Sequence, residues 1–151
     1  SIQLQRNMEK GSLEMLAPEY RELCLQAREA CKRGRGYISK FLVGAAVLTS
    51  SGEIFTGSNN ESADFTLTNH GEMCAIDIAV HNGHVEFNAI AAYSSTMETP
   101  VTPCGLCRQK IREFGNDIVV VMFGKNGEVW KASIDELLPY AFTGDDVGFE
   151  K

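Results

Sequence analysis

No uninterrupted apolar run in this chain approaches the roughly 20 residues of a helical membrane span, so none is expected. The opening Ser1–Arg6 has no apolar secretory stretch, which makes a cytoplasmic address the default expectation. Positive charge is scarce: 14 Lys and Arg against 20 Asp and Glu leave a formal charge of -6. Without a basic stripe or cluster, a nucleic-acid surface is not expected. Five cysteines are an odd number and fit a secreted disulfide framework poorly. With only 4 prolines and no Gly/Ser-rich tract, no linker marks a second domain, and residues 1–151 are read as one domain.

What is present is ordinary in bulk and specific in detail. Apolar residues at 44% and charged ones at 23% suit a globular protein able to bury a core without disulfides. Leu13 to Lys32 reads as an opening helix with Pro18 near its first turn, stopped by Gly34 and Gly36. The apolar run Phe41–Thr49 has strand length, Ser50–Glu53 supplies a turn, and Ile54–Gly57 returns. Asn59 to Asn69 is polar and unperiodic. Ala75, Ile76, Ile78, Ala79 and Val80 carry a helical pattern that begins near His70 and stops at Asn82-Gly83. A strand over Phe87–Tyr93, a helix from Cys104 to Phe114 and a strand over Ile118–Phe123 follow. Asn126-Gly127 turns into Val129-Trp130, and Ser133 caps a last helix, Ile134 to Leu138. Strands alternating with helices imply an α/β fold, a three-layer α-β-α sandwich whose mainly parallel or mixed five-stranded sheet is covered on both faces.

The chemistry concentrates in two short segments. His70-Gly71-Glu72 gives H-x-E, and Pro103-Cys104-Gly105-Leu106-Cys107 gives P-C-x-x-C. His70, Cys104 and Cys107 are three zinc-type ligands, one short of the four that close a structural site, so a Zn2+ held by them keeps a position for water. Both segments are predicted at helix N-termini, whose dipoles favour thiolates. Glu72, two residues from His70, points away from the ligand and can reach a water there as general acid/base. The alternative is a structural site closed by Cys74, one turn from His70. His81 and His84 lie at the far end of that helix, roughly 16–20 Å away at 1.5 Å per residue, and read as helix-end surface histidines.

H-x-E followed by P-C-x-x-C is the signature of zinc-dependent deaminases. From about Phe41 to Asp146 the chain resembles the single-domain cytidine deaminase family. The matching segments are Phe41–Ala46, Asn59–Ala63, His70–Glu72, Pro103–Gln109 and Leu137–Phe142, in register. The resemblance implies hydrolytic deamination of cytidine and 2′-deoxycytidine, with His70, Cys104 and Cys107 on zinc and Glu72 as proton shuttle. It further implies that Asn59 and Glu61 hold the ribose hydroxyl and that Phe41 packs on the pyrimidine. The Gly71 N–H would bind the ring carbonyl, and the Thr102 carbonyl would receive the exocyclic amine. Phe142 would reach the base of a neighbouring subunit in a homotetramer. Taken alone, Phe41 could be plain core, Asn59 and Glu61 loop polars, and Phe142 a terminal anchor.

Three positions depart from the family's pattern. His70 stands where single-domain members carry Cys, Met73 where they carry Arg, and Ile38 where they carry Tyr. The first two belong together: a third thiolate adds charge that an Arg offsets, and with imidazole in its place an unpaired Arg beside the metal would be costly. A His first ligand also occurs in the larger dimeric class, so a dimer is the alternative assembly. Rival readings are a deaminase of a modified pyrimidine nucleoside or of a nucleoside antibiotic such as blasticidin S, and a non-catalytic zinc protein. A nucleic-acid deaminase would need a basic channel and stacking aromatics that this chain lacks. The expected partner is a small pyrimidine nucleoside, not nucleic acid or membrane.

Overall fold

Six strands, not five, form the sheet in the computed structural model, which describes residues 8–151. The segment Ser1–Arg6, weighed above for a secretory signal, lies outside the described residues. The additional strand is β1 (Glu9–Ser12), paired antiparallel with residues 128–131 at one edge of the sheet. Its residues Glu9-Lys10-Gly11-Ser12 carry no apolar alternation, because an edge strand with little to bury is held mainly by its backbone ladder. After a short 3₁₀ turn over Leu13–Met15, helix α1 spans Pro18–Cys31 with Pro18 at its first position. The helix therefore starts five residues later than the apolar pattern suggested, where a proline needs no N–H partner.

β2 (Gly44–Thr49) and β3 (Ile54–Ser58) form the anticipated hairpin. Helix α2 covers Gly71–His81, β4 Phe87–Tyr93 and α3 Gly105–Arg112. β5 (Val119–Phe123) and β6 (Glu128–Ser133) flank the Asn126-Gly127 turn, and α4 is Ile134–Leu137. In α4 the Ser133 side chain accepts from the Glu136 N–H, as expected of a cap. The sheet order is β1-β6-β5-β4-β2-β3. It is mixed, not mainly parallel: β4 and β5 alone run parallel, joined through α3, and the other named pairs are antiparallel.

Alternation along the strands builds a core on each face. Ala46 and Leu48 of β2, Ala89 and Ala91 of β4 and Val121 of β5 pack against Leu23, Cys24 and Ala27 of α1. Ala45 and Val47, Ile90, and Val120 and Met122 pack against Ala75, Ile76 and Ala79 of α2 and Ile111 of α3. Two glycines set how closely the helices approach. A Cβ on Gly44 would stand 2.1 Å from the Ala27 carbonyl oxygen, and one on Gly57 would stand 2.3 Å from the Ala75 nitrogen. Gly44 thus seats α1 on one face, and Gly57 seats α2 on the other.

Phe41–Val43, predicted as the start of β2, lies outside the strand. Its backbone is bound by a side chain: Val43 N–H donates to Asn59 Oδ1 at 3.0 Å, and Asn59 Nδ2 donates to the Phe41 carbonyl at 2.8 Å. That segment then borders the site and does not extend the sheet.

Candidate metal centre and active-site cavity

His70 is the N-cap of α2 and Cys104 the N-cap of α3, both with extended backbone, and neither side chain caps its own helix. The imidazole and thiol are free to turn toward each other between the two helix starts. His70 Nδ1 lies 3.4 Å from Cys104 Sγ and 3.3 Å from Cys107 Sγ. All three candidate ligand atoms fall within 4.8 Å of one another, and this is the cluster of such donors found among the described residues. Zinc bonds of about 2.3 Å to sulfur and 2.0–2.1 Å to nitrogen, meeting tetrahedrally, separate S and N by about 3.6 Å. The soft–borderline donor set and its spacing therefore fit Zn2+ with Nδ1 as the histidine ligand. Cys74 and the other histidines are not in the cluster; His84 pairs with Glu53 at the far end of α2.

Glu72 also stands outside that group of three, buried and 3.3 Å from Cys107 Sγ, which donates to its Oε2. It is a carboxylate beside the metal position and not a member of the donor set. Burial, with Glu72 and Cys104 alongside, pushes the Cys107 thiol above its ordinary value. The helix N-terminus is thus outweighed by desolvation, and the thiolate form depends on the charge of a bound cation.

A cavity of about 380 Å³ opens beside this cluster. Its walls include Phe41, Asn59, Glu61, Gly71 and Thr102 together with His70, Glu72 and Cys104. Eight residues chosen from sequence thus share one cavity. Gly71 is the first residue of α2, so its N–H has no partner within the helix. Glu61 accepts from the N–H groups of Ile38 and Ser39 and from the Ser39 hydroxyl. The Ser39 hydrogen bonds come first among the causes that hold its carboxyl below the ordinary value. Phe142 is not in the walls: it is 62% exposed, and its carbonyl accepts from Gln109 Nε2 at 2.7 Å.

Four wall residues escaped the sequence reading: Val43, Thr68, Met97 and Val101. Met97 and Val101 belong to the polar connection between β4 and the Cys104 turn. Their signal was available in retrospect, as apolar residues isolated in a loop that leads straight into a metal hook.

A model of the cytidine and deoxycytidylate deaminase zinc-binding region matches residues 18–123. The chain belongs to this deaminase family. Among relatives of the deaminase, a cytidine deaminase of Sporosarcina psychrophila is 36% identical over 85% of this chain and 94% of its own length. A blasticidin-S deaminase of Bacillus cereus is likewise 36% identical, over 70% of this chain and 79% of its own. Among solved structures, a cytidine deaminase from Burkholderia pseudomallei superposes with a TM-score of 0.77 at 37% identity. It covers 80% of this chain and 97% of its own. The deaminase fold explains why the metal donors come from two helix starts: α2 and α3 pack on the same sheet face and lie against each other.

Proposed function

We propose that the chain hydrolyses cytidine and 2′-deoxycytidine to uridine and 2′-deoxyuridine with release of ammonia. The observation that carries this reading is the convergence of His70 Nδ1 and the Cys104 and Cys107 sulfurs beside a cavity that also holds the unbound carboxylate Glu72. Zinc held by those three donors would supply the Lewis acidity that makes a water nucleophilic near neutral pH. Glu72 takes one proton from the water and delivers it to the ring nitrogen as the oxygen bonds to C4. It then takes the remaining proton from that oxygen and gives it to the amine, whose bond to C4 breaks to release ammonia. The Gly71 N–H, unpaired within α2, binds the ring carbonyl, and the Thr102 carbonyl accepts from the exocyclic amine. Phe41 packs on the pyrimidine, while Asn59 and Glu61 meet the sugar hydroxyls.

Glu72→Gln separates proton transfer from metal binding. The variant should keep its zinc, read by metal analysis, and lose ammonia release from cytidine by at least about 10²-fold. Turnover equal to the parent's would remove Glu72 from the mechanism. Blasticidin S is a second substrate reading, supported by the Bacillus cereus relative; a panel of cytidine, deoxycytidine and blasticidin S, followed by absorbance, ranks the substrates. Turnover of the antibiotic with neither nucleoside accepted would replace the main reading.

The assembly we infer is a homotetramer, with a dimer as alternative. The exposed side chains of Tyr140 and Phe142, at 104% and 62%, support a tail that meets a neighbour. Monomer mass in solution at micromolar concentration would overturn it. Among the described residues no helix is long and apolar enough to cross a membrane, in keeping with a cytoplasmic enzyme of nucleoside salvage that fractionation should recover in the cytosol.

A further inference from the structure

Ser39 has no role in the mechanism above, yet its hydroxyl joins two groups placed there on the substrate. It lies in the exposed turn between Gly36 and Phe41. The turn is closed by Lys40 N–H donating to the Gly36 carbonyl at 2.8 Å, with Lys40 at φ 63°. Ser39 Oγ donates to Glu61 Oε1 and accepts from Phe41 N–H at 3.0 Å. The N–H groups of Ile38 and Ser39 reach Glu61 Oε2 at 2.9 and 3.0 Å.

A carboxylate offers about four acceptor positions on its two oxygens. Three are taken by this turn, which leaves one on Oε1, the oxygen that the Ser39 hydroxyl holds. Glu61 is buried and forms part of the cavity wall. The set of donors around it also keeps it ionised, the better state for accepting from a neutral hydroxyl. On the opposite side, Asn59 Nδ2 binds the Phe41 carbonyl, so both backbone polar groups of Phe41 are held by side chains. One hydroxyl thereby ties a carboxylate on one wall of the cavity to the aromatic residue on another.

We propose that Ser39 is a positioning residue for sugar recognition, aiming the remaining acceptor of Glu61 at a nucleoside hydroxyl. The assignment rests on the nucleoside reading of the cavity. A residue that merely stabilised the turn would affect every substrate alike, whereas a positioning role depends on the sugar hydroxyl being present.

The test compares zinc-loaded parent, Ser39→Ala and Ser39→Thr on cytidine and on 2′,3′-dideoxycytidine, which lacks the sugar hydroxyls in question. Ser39→Ala should raise KM for cytidine about tenfold with kcat within about twofold, the scale of one lost hydrogen bond to a charged acceptor. On dideoxycytidine its KM should stay within about twofold of the parent's. Ser39→Thr, which keeps the hydroxyl, should retain the parent's KM for cytidine. An unchanged KM for cytidine, or an equal penalty on both substrates, overturns the assignment of Ser39 and leaves the proposed reaction standing. A parent that accepts neither nucleoside overturns the reaction, and this inference with it.

Discussion

Gly57→Ala should disable the site from outside the cavity, by displacing the helix that carries His70 and Glu72. The new Cβ would meet Ala75 N at 2.3 Å and Cys74 backbone and side-chain carbons at 2.8 Å. Relaxing the closest contact to an ordinary 3.4 Å requires α2 and β3 to part by about 1.1 Å. β3 is an edge strand with β2 as its neighbour, so part of the displacement falls on the strand and part on α2. Overpacking of this kind costs about 1–3 kcal/mol, or roughly 2–12 °C in Tm at about 2–4 °C per kcal/mol for a chain of this size. The share falling on α2 moves His70 and Glu72 relative to Cys104 and Cys107, and misplacement of about 1 Å can cost about 10²-fold in turnover. Thermal melting, zinc retention against a chelator and ammonia release from cytidine read the three effects. Gly44→Ala is the control: its Cβ would clash as severely, at 2.1 Å, but with Ala27 of α1 on the opposite face. It should melt early and yet hold zinc like the parent while folded. Parent-like melting and turnover by Gly57→Ala would refute the argument, as would equal zinc loss by both variants.

Arg108→Ala should weaken metal retention about tenfold, because Arg108 Nε donates to the Pro103 carbonyl at 2.8 Å and its guanidinium also binds the Leu137 carbonyl at 2.9 Å, fixing the turn that presents Cys104. Chelator competition checks this, and parent-like release would show that the turn holds itself. Cys24 is fully buried, and desolvation pushes its thiol up to about 12. Iodoacetamide at pH 8 should therefore label half-buried Cys74 in the native protein and reach Cys24 after denaturation. Native labelling of Cys24 at the rate of Cys74 would contradict its burial.

Much of the site was legible because its chemistry is local. His70 with Glu72, and Cys104 with Cys107, are separated by two and three positions at helix starts, so residue spacing already carries their mutual geometry. β1 was illegible for the converse reason: Glu9 and Lys10 bury little, and their pairing with Lys131 and Trp130 is a contact across the chain with no periodic trace. Phe41 misled the strand boundary since an apolar run looks the same whether a neighbouring strand or an asparagine side chain binds its backbone. The Glu61 environment was equally hidden, as its hydrogen-bond partners lie 22 and 23 positions away.

The amino-acid order alone determined which donors are available, that three of them suit zinc with one acid to spare, and that helices begin where those donors stand. Folding decided that the two helix starts face each other, because Gly57 lets α2 approach the sheet on the face that α3 also covers. It also decided which loop residues close the cavity around the metal position. Those outcomes depend on contacts between segments tens of residues apart, where packing and backbone hydrogen bonding act and local pattern carries no record of them.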